Sequence, residues 1–128
     1  MVQQITNGVK ISVISKFEGA NYRNYKLYYA FSYKITIENQ TSEVLQLLSR
    51  HWNIFDSLNK TEIVKGSGVI GVKPVINVGN SHTYQSNCFL TSSIGAMNGF
   101  YNMINIETNE SFKVTIPTFQ LMISSIYN

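Results

Sequence analysis

Residues 29–38 alternate strictly between large apolar side chains and small or polar ones. The apolar positions are Tyr29, Phe31, Tyr33, Ile35 and Ile37. Because successive side chains of a β-strand point to opposite faces, the alternation indicates an antiparallel strand with one buried and one solvated face. This run is the strongest indication that the chain folds as a β protein.

Similar runs recur along the chain and are separated at short intervals by turn-forming residues. Further strands are predicted at residues 9–13, 44–55, 61–64, 75–78, 83–90, 101–106 and 112–116, with turns at 39–41, 56–59, 79–81 and 108–109. The clearest hairpin joins residues 101–106 to 112–116. Seven or more short strands with this spacing predict an all-β antiparallel sandwich or barrel, and we favour a two-sheet sandwich.

Two local features bear on this prediction. Residues 42–48 have helical propensities, but so short a helix would be marginal and the apolar run continues to Phe55. A strand is therefore favoured there. Tyr84 follows the turn at 79–81 and opens a strand, which is typical of the tyrosine corner of immunoglobulin-like sandwiches. Its hydroxyl would then bond to backbone upstream in the chain.

The composition is that of one folded domain. Of the 128 residues, 44% are hydrophobic and 13% are charged, which argues against disorder. We find no internal repeat and no linker, so we expect a single domain over residues 1–128.

The charge is mild, at +3 overall, but it is unevenly spread. Residues 1–34 hold five basic side chains against one acid. Within them, residues 21–29 interleave aromatic and basic side chains, as single-strand nucleic-acid surfaces do. Such a segment is more typical of a loop whose tyrosines anchor it to the core. Since nucleic-acid binders usually concentrate more charge, we expect no nucleic-acid partner, only weak phosphate or anion attraction.

Cysteine usage and the N-terminus bear on location. The single cysteine, Cys88, excludes an internal disulfide, fits a reducing compartment and lies in an apolar stretch typical of a structural thiol. The first residues lack the features of a signal peptide, and no apolar run reaches membrane-spanning length. We therefore expect a cytoplasmic chain without membrane insertion.

A literal GxGxxG motif occupies residues 66–71 and consists of Gly66, Ser67, Gly68, Val69, Ile70 and Gly71. In a dinucleotide-binding fold a helix must follow this motif, but here the chain continues with β-branched residues and Pro74. Two interpretations stay open. The glycines serve turns or bulges, or the loop forms an anion nest assisted by Lys65 and Lys73.

Arg50 lies in the densest cluster of functional side-chain types. On a strand it shares a face with Leu48 and Trp52, and an unpaired charge among apolar neighbours is costly. We expect the guanidinium to lie over Trp52 or to pair with Asp56 or Glu62. Alternatively, Arg50 anchors a carboxylate or phosphate of a partner.

Catalytic and metal chemistry find little support. Ser49 and His51 share a strand face, but no nucleophile elbow and no oxyanion-hole loop accompany them. The remaining metal-binding side chains, such as His82, are scattered without ligand spacing. We therefore expect no enzyme, no metal site and no cofactor.

Taken together, these segments resemble the ApaG family, also called the DUF525 domain. The matching pieces are residues 31–39, 47–52, 64–74, 84–86, 95–103 and 112–121, in the family's order across nearly the whole chain. Departures fall in turns, at 78–79, 87 and 92–93. The resemblance implies an immunoglobulin/fibronectin type III-like sandwich. Bacterial members are associated with cobalt resistance and magnesium efflux, and related eukaryotic domains occur in F-box and polymerase-interacting proteins.

The resemblance favours a protein-interaction or regulatory module that is linked only indirectly to cobalt and magnesium efflux. The glycine loop and nearby strand edges would form its binding surface. The alternative is a small-ligand sensor that binds phosphate compounds or divalent cations at residues 65–73. The identity of the protein partner and the existence of a homodimer stay open.

Overall fold

The computed structural model describes residues 1–123, which form two antiparallel sheets. The strands are β1 (Val2–Thr6), β2 (Val9–Arg23), β3 (Lys26–Asn39), β4 (Leu45–Asp56), β5 (Glu62–Ser67), β6 (Val75–Ile76), β7 (Ser81–Leu90), β8 (Ile94–Asn105) and β9 (Ser111–Met122). One sheet, sheet A, has the order β1-β2-β3-β7. The other, sheet B, has the order β5-β4-β8-β9, and β6 pairs with β4. No helix within residues 1–123 is long and apolar enough to span a membrane.

The alternation of β3 places its apolar face in the core between the sheets. Phe31, Ile35 and Ile37 are at most 1% exposed, and Leu47 and Tyr101 of the opposite sheet are fully buried. The core ends in an aromatic cluster in which the ring centroids of Tyr33, Trp52 and Phe119 lie 5.5 to 5.9 Å apart. The sandwich prediction is confirmed, and the four-plus-five arrangement of strands is compatible with a fibronectin type III-like fold.

Each predicted strand occurs, and the hairpin of residues 101–116 is confirmed as β8–β9. The strand interpretation of residues 44–55 is correct, since all of them except Val44 lie in β4. The sequence did not predict β1, and β6 is only two residues long.

The prediction that Leu48 shares a face with Arg50 and Trp52 is wrong. A bulge lies between Leu47 and Ser49, and it reverses the alternation of β4. Leu47 therefore faces the core on one side of the bulge, and Trp52 faces it on the other.

Residues 21–29 form the end of a long hairpin instead of a loop anchored to the core. Arg23 of β2 pairs with Lys26 of β3, and Asn24 and Tyr25 form the turn with φ of 48° and 65°. Tyr25 is 103% exposed and Tyr22 is 76% exposed, so these tyrosines anchor nothing within the described residues. The expectation that tyrosines bind this segment to the core is wrong for both.

The two long sides of the sandwich differ. On one side β1 and β2 cover β9, since Ser15 donates a hydrogen bond to the Gln120 carbonyl at 3.1 Å and the Thr115 amide donates to the Thr6 hydroxyl at 3.4 Å. On the other side the edge strands β7 and β5 leave the space between the sheets open. That open side carries the candidate site.

Candidate binding cleft and glycine loop

A cleft of about 490 Å³ enters the sandwich between β7 and β5. Aromatic and aliphatic side chains form its walls, together with one guanidinium and one carboxylate; the lining residues include Tyr33, Arg50, Trp52, Glu62, Tyr84 and Cys88. Concave sites with apolar walls and a few convergent polar groups are the usual form of ligand sites. The sequence did not predict this cleft.

The guanidinium of Arg50 lies inside the cleft and holds the backbone of the glycine loop. Its Nη1 donates hydrogen bonds to the carbonyl oxygens of Ser67 at 2.9 Å and of Gly68 at 2.8 Å. The expected carboxylate partners are not used, because the one ion pair among residues 1–123 joins Lys16 to Glu18. Arg50 is thus a structural brace that also lines the cleft.

Gly66 makes room for that brace. It is the cross-strand neighbour of Arg50 in the β4–β5 pairing. A Cβ at Gly66 would lie 2.7 to 2.9 Å from the three terminal guanidinium atoms of Arg50, closer than real Cβ contacts come. The first glycine of the motif therefore leaves room for a side chain of the neighbouring strand β4.

The rest of the motif forms a small hairpin. The amides of Val69 and Val72 each donate to the other's carbonyl, at 2.8 and 3.1 Å. Between them Ile70 and Gly71 have φ of 45° and 76°, as a type I′ turn requires. Gly68 has φ of 58°, and a Cβ there would lie 2.1 Å from the Val72 carbonyl oxygen. These geometries are those of the turn-and-bulge interpretation.

The same geometry bears on the proposed anion nest. The amides of Gly68, Val69 and Val72 all donate to backbone carbonyls, so these three are not free to bind an anion. The two lysines are also separated. Lys65 lies beside His51 on the outer face of sheet B, whereas Lys73 packs against Gly68.

Ser49 and His51 do not form a pair. The imidazole of His51 stacks on the ring of Phe100, with centroids 4.7 Å apart and planes within 9°. The hydroxyl of Ser49 accepts a hydrogen bond from Asn102 at 2.8 Å. Both side chains are thus engaged by β8. Among residues 1–123, no three His, Cys, Asp or Glu side chains cluster as metal ligands.

Tyr33 and Tyr84 line the cleft, and Tyr101 is buried behind it. The hydroxyls of Tyr84 and Tyr101 lie 2.5 Å apart and link the two sheets. Tyr84 therefore bonds to a side chain of the opposite sheet, and the tyrosine-corner interpretation is wrong. Burial raises the pKa of Tyr33, Tyr84 and Tyr101, so all three stay protonated. Burial likewise raises the pKa of the Cys88 thiol to about 11.

Asp56 lies outside the cleft and closes one end of the sandwich. It accepts hydrogen bonds from the Thr91 amide at 2.8 Å, the Thr91 hydroxyl at 2.7 Å and the Ser92 hydroxyl at 2.5 Å. Partial burial raises the pKa of Asp56, but the hydrogen bonds from Ser92 and Thr91 outweigh it and hold the pKa at about 2. The carboxylate is a structural tie between β4 and the turn that follows β7.

Comparison with known proteins places the cleft and the loop in a family. The model of the ApaG domain, DUF525, matches residues 19–105, a range that contains Arg50, Tyr84 and the whole glycine motif. The chain belongs to the ApaG family. Protein ApaG of Bdellovibrio bacteriovorus is 48% identical over 95 residues, which are 74% of this chain and 74% of that protein.

Other ApaG relatives extend the match toward both ends of the chain. Protein ApaG of Brucella canis is 37% identical over 121 residues, which are 94% of this chain and 92% of that protein. Among solved structures, a structural-genomics X-ray structure has a TM-score of 0.88 at 32% identity, over 94% of this chain and 90% of that one. The putative ApaA protein from Bordetella pertussis has a TM-score of 0.81 at 30% identity, over 91% and 94%.

Proposed function

We propose that this ApaG-domain chain is a non-enzymatic protein-interaction module that binds an extended polypeptide segment as an additional strand on β7. The observation that carries the proposal is the edge of β7 itself. Its ten residues pair with β3 without a bulge, and β3 is its only partner strand within residues 1–123. An unpaired edge offers backbone donors and acceptors to another chain.

β7 lacks the features that protect edge strands. Its sequence, SHTYQSNCFL, contains no Lys, Arg, Asp, Glu or Pro. By contrast, β9 carries Pro117 and is covered by β1 and β2, and β5 carries Lys65 and Gly66 in only six residues. Natural proteins usually block free edges with charges, proline or bulges, so an unblocked one fits a binding role.

The cleft lies directly beside this edge and supports recognition of side chains. Residues of an added strand would point alternately toward the cleft and toward the outer face of sheet A. The cleft would take an apolar or aromatic side chain against Trp52 and Tyr33, with Arg50 available to a polar group at its rim. Backbone pairing would supply affinity, and this pocket would supply selectivity.

A role in cobalt and magnesium homeostasis would then be indirect. The module would act in the cytoplasm by binding a protein of the efflux system or its regulator, and it would not carry ions itself. The engaged states of Ser49 and His51 support a function without turnover.

A phage-displayed library of random peptides of about ten residues would test the proposal, because it offers β7 extended segments of every side-chain type, whichever protein the module binds. Selected peptides should shift the amide NMR signals of β7 and of the cleft and should protect alternate β7 amides from hydrogen exchange. Ser86→Glu places a charge in the cleft and should abolish binding. Its matched control, Gln85→Glu, adds the same charge to the opposite face of β7 and should bind normally.

Three outcomes would count against the peptide role. Signal changes confined to another surface would contradict it, as would equal effects of the two glutamate variants. Self-association that Ser86→Glu abolishes would instead identify a second copy of this chain as the occupant, and sedimentation velocity at several concentrations would detect it.

The alternative, a sensor of phosphate compounds or divalent cations at residues 65–73, rests on the loop glycines and Lys65. The amides of Gly68, Val69 and Val72 already donate to backbone carbonyls, which weakens the sensor alternative. Calorimetry with pyrophosphate, ATP, magnesium and cobalt distinguishes the two functions, since heat that Lys65→Gln removes would favour the sensor.

A further inference from the structure

The outer face of sheet A gathers cations that are distant in sequence. The β2–β3–β7 register places Lys16, Ser32 and Asn87 in one row and Ile14, Lys34 and Gln85 in the next. Beyond them, toward the hairpin tip, lie Arg23 and Lys26. We call this set of four cations, with the rings of Tyr28 and Phe89, the basic strip.

Aromatic rings are interleaved with these cations. The guanidinium of Arg23 lies 5.1 Å from the ring centroid of Phe89, and the ammonium of Lys26 lies 5.8 Å from that of Tyr28. Phe89 is 50% exposed although it is a large apolar side chain on an edge strand. These contacts confirm that side chains from three strands share one face.

Acidic groups hardly offset the strip. No Asp or Glu occurs between Gly19 and Ile37. Glu18, at the bulge of β2, forms an exposed pair with Lys16 at 3.6 Å, and such pairs contribute little. Lys26 and Lys34 are eight residues apart on one strand, so the strip is roughly 27 Å long at about 3.4 Å per residue.

The apex of the hairpin adds a second, independent observation. Tyr25 adopts the left-handed backbone conformation, with φ of 65°, at a turn position where glycine is preferred. Its side chain is 103% exposed, so no contact in the described residues offsets the conformational cost. A strained, fully exposed aromatic residue at the tip of a basic arm is well placed for contact with another molecule.

We infer that the basic strip and the hairpin tip bind single-stranded nucleic acid. This site uses the outer face of sheet A, shares Phe89 with the cleft beside β7, and goes beyond the proposed function. Phosphates would pair with the four cations, and bases would stack on Phe89, Tyr28 and Tyr25. An acidic polypeptide would use the cations alone, whereas single-stranded RNA or DNA has groups for both the cations and the rings. The expectation of no nucleic-acid partner rested on the modest charge of residues 1–34, and the fold brings four of the five cations in that segment together on one face with Phe89.

Fluorescence anisotropy with labelled oligouridylate and oligothymidylate of about 12 nucleotides would test the inference. Four phosphate contacts give a log–log salt slope of about −2.8, so affinity should fall about 50-fold between about 50 and 200 mM salt. Arg23→Gln/Lys26→Gln should halve that slope. Lys60→Gln/Lys113→Gln removes the same charge elsewhere and should leave the slope unchanged. A preference for RNA or for DNA would identify the source of the ligand.

The rings and the tip are tested separately. Tyr28→Leu/Phe89→Leu should weaken binding at least about five-fold with an unchanged salt slope, because stacking is not ionic. Tyr25→Gly should weaken binding and raise the midpoint of thermal unfolding. A variant that lost binding because it was destabilised would instead show a lower midpoint. Circular dichroism confirms that each variant is folded.

Several results would overturn the inference. The first is the absence of saturable, salt-dependent binding. The second is a loss of oligonucleotide affinity in the Lys60/Lys113 control that equals the loss in the Arg23/Lys26 variant. The third is an unchanged affinity when the rings of Tyr28 and Phe89 are replaced. In a fourth, polyglutamate competes with the oligonucleotides at equal concentration and loses affinity equally when the rings are replaced. That result would assign the strip to an acidic polypeptide and refute nucleic-acid binding.

Discussion

Gly66→Ala tests the brace that Arg50 forms inside the cleft. The new methyl group would lie 2.7 to 2.9 Å from the guanidinium, so the flexible Arg50 side chain must move and lose its bonds to Ser67 and Gly68. Hydrogen bonds to a charged group contribute about 1.5 kcal/mol or more each, while replacing a strand glycine with alanine returns about 0.5 to 1 kcal/mol. The net expectation is a loss of about 2 kcal/mol in the free energy of unfolding.

The effect of Gly66→Ala on the free energy of unfolding should reverse in sign when Arg50 is absent. In an Arg50→Ala background the space opposite Gly66 is free, so Gly66→Ala should stabilise the protein by about 0.5 to 1 kcal/mol. The coupling in the double-mutant cycle is then about 2 to 3 kcal/mol. Urea unfolding followed by the fluorescence of Trp52, the single and buried tryptophan, measures all four proteins. A coupling below about 0.5 kcal/mol would refute the contact between Arg50 and Gly66.

Three further predictions concern the glycine loop, the stability of the protein in acid and the thiol of Cys88. Gly68→Ala should cost about 2 kcal/mol or more, because it combines a φ of 58° with a Cβ 2.1 Å from the Val72 carbonyl; an unchanged urea midpoint would contradict this loop geometry. The stabilisation from ionised Asp56, about 1 to 2 kcal/mol after solvent screening, is present above pH 4 and is lost as pH falls toward its pKa of about 2. Asp56→Asn should therefore flatten the acid limb of the stability curve. Cys88, with a pKa of about 11, should react with a thiol reagent at pH 8 far faster in urea than in the native state, and equal rates would argue that it is accessible.

The strands were predictable because they depend on the alternation of neighbours along the chain. In β3 five large apolar side chains fall at every second position, and each faces the core or its margin. The bulge at Leu48 was not predictable, because the shift arises from pairing with β8 and leaves no local signal. β1 was missed because only Val2 and Ile5 are apolar in it, and its place is set by pairing with β2.

The site was harder to predict than the fold for the same reason. Arg50 and Gly66 were both singled out from the sequence, but each was interpreted with its own neighbours. A register counted back from the turn at residues 56–59 would have placed them opposite each other. No such count would have shown the cleft, since its width depends on how the two sheets pack.

The two proposed binding surfaces meet at β7, where Phe89 lines the cleft and also contacts Arg23 of the basic strip. Ser86 lines the cleft and is not part of the strip, whereas Arg23 and Lys26 lie outside the cleft. Ser86→Glu should therefore abolish peptide binding and leave the salt-dependent binding of oligonucleotides intact, and Arg23→Gln/Lys26→Gln should weaken oligonucleotide binding and leave peptide binding intact. Loss of both activities in either variant, with the fold retained, would mean that one partner covers the whole edge of β7. That result would contradict the assignment of two independent surfaces.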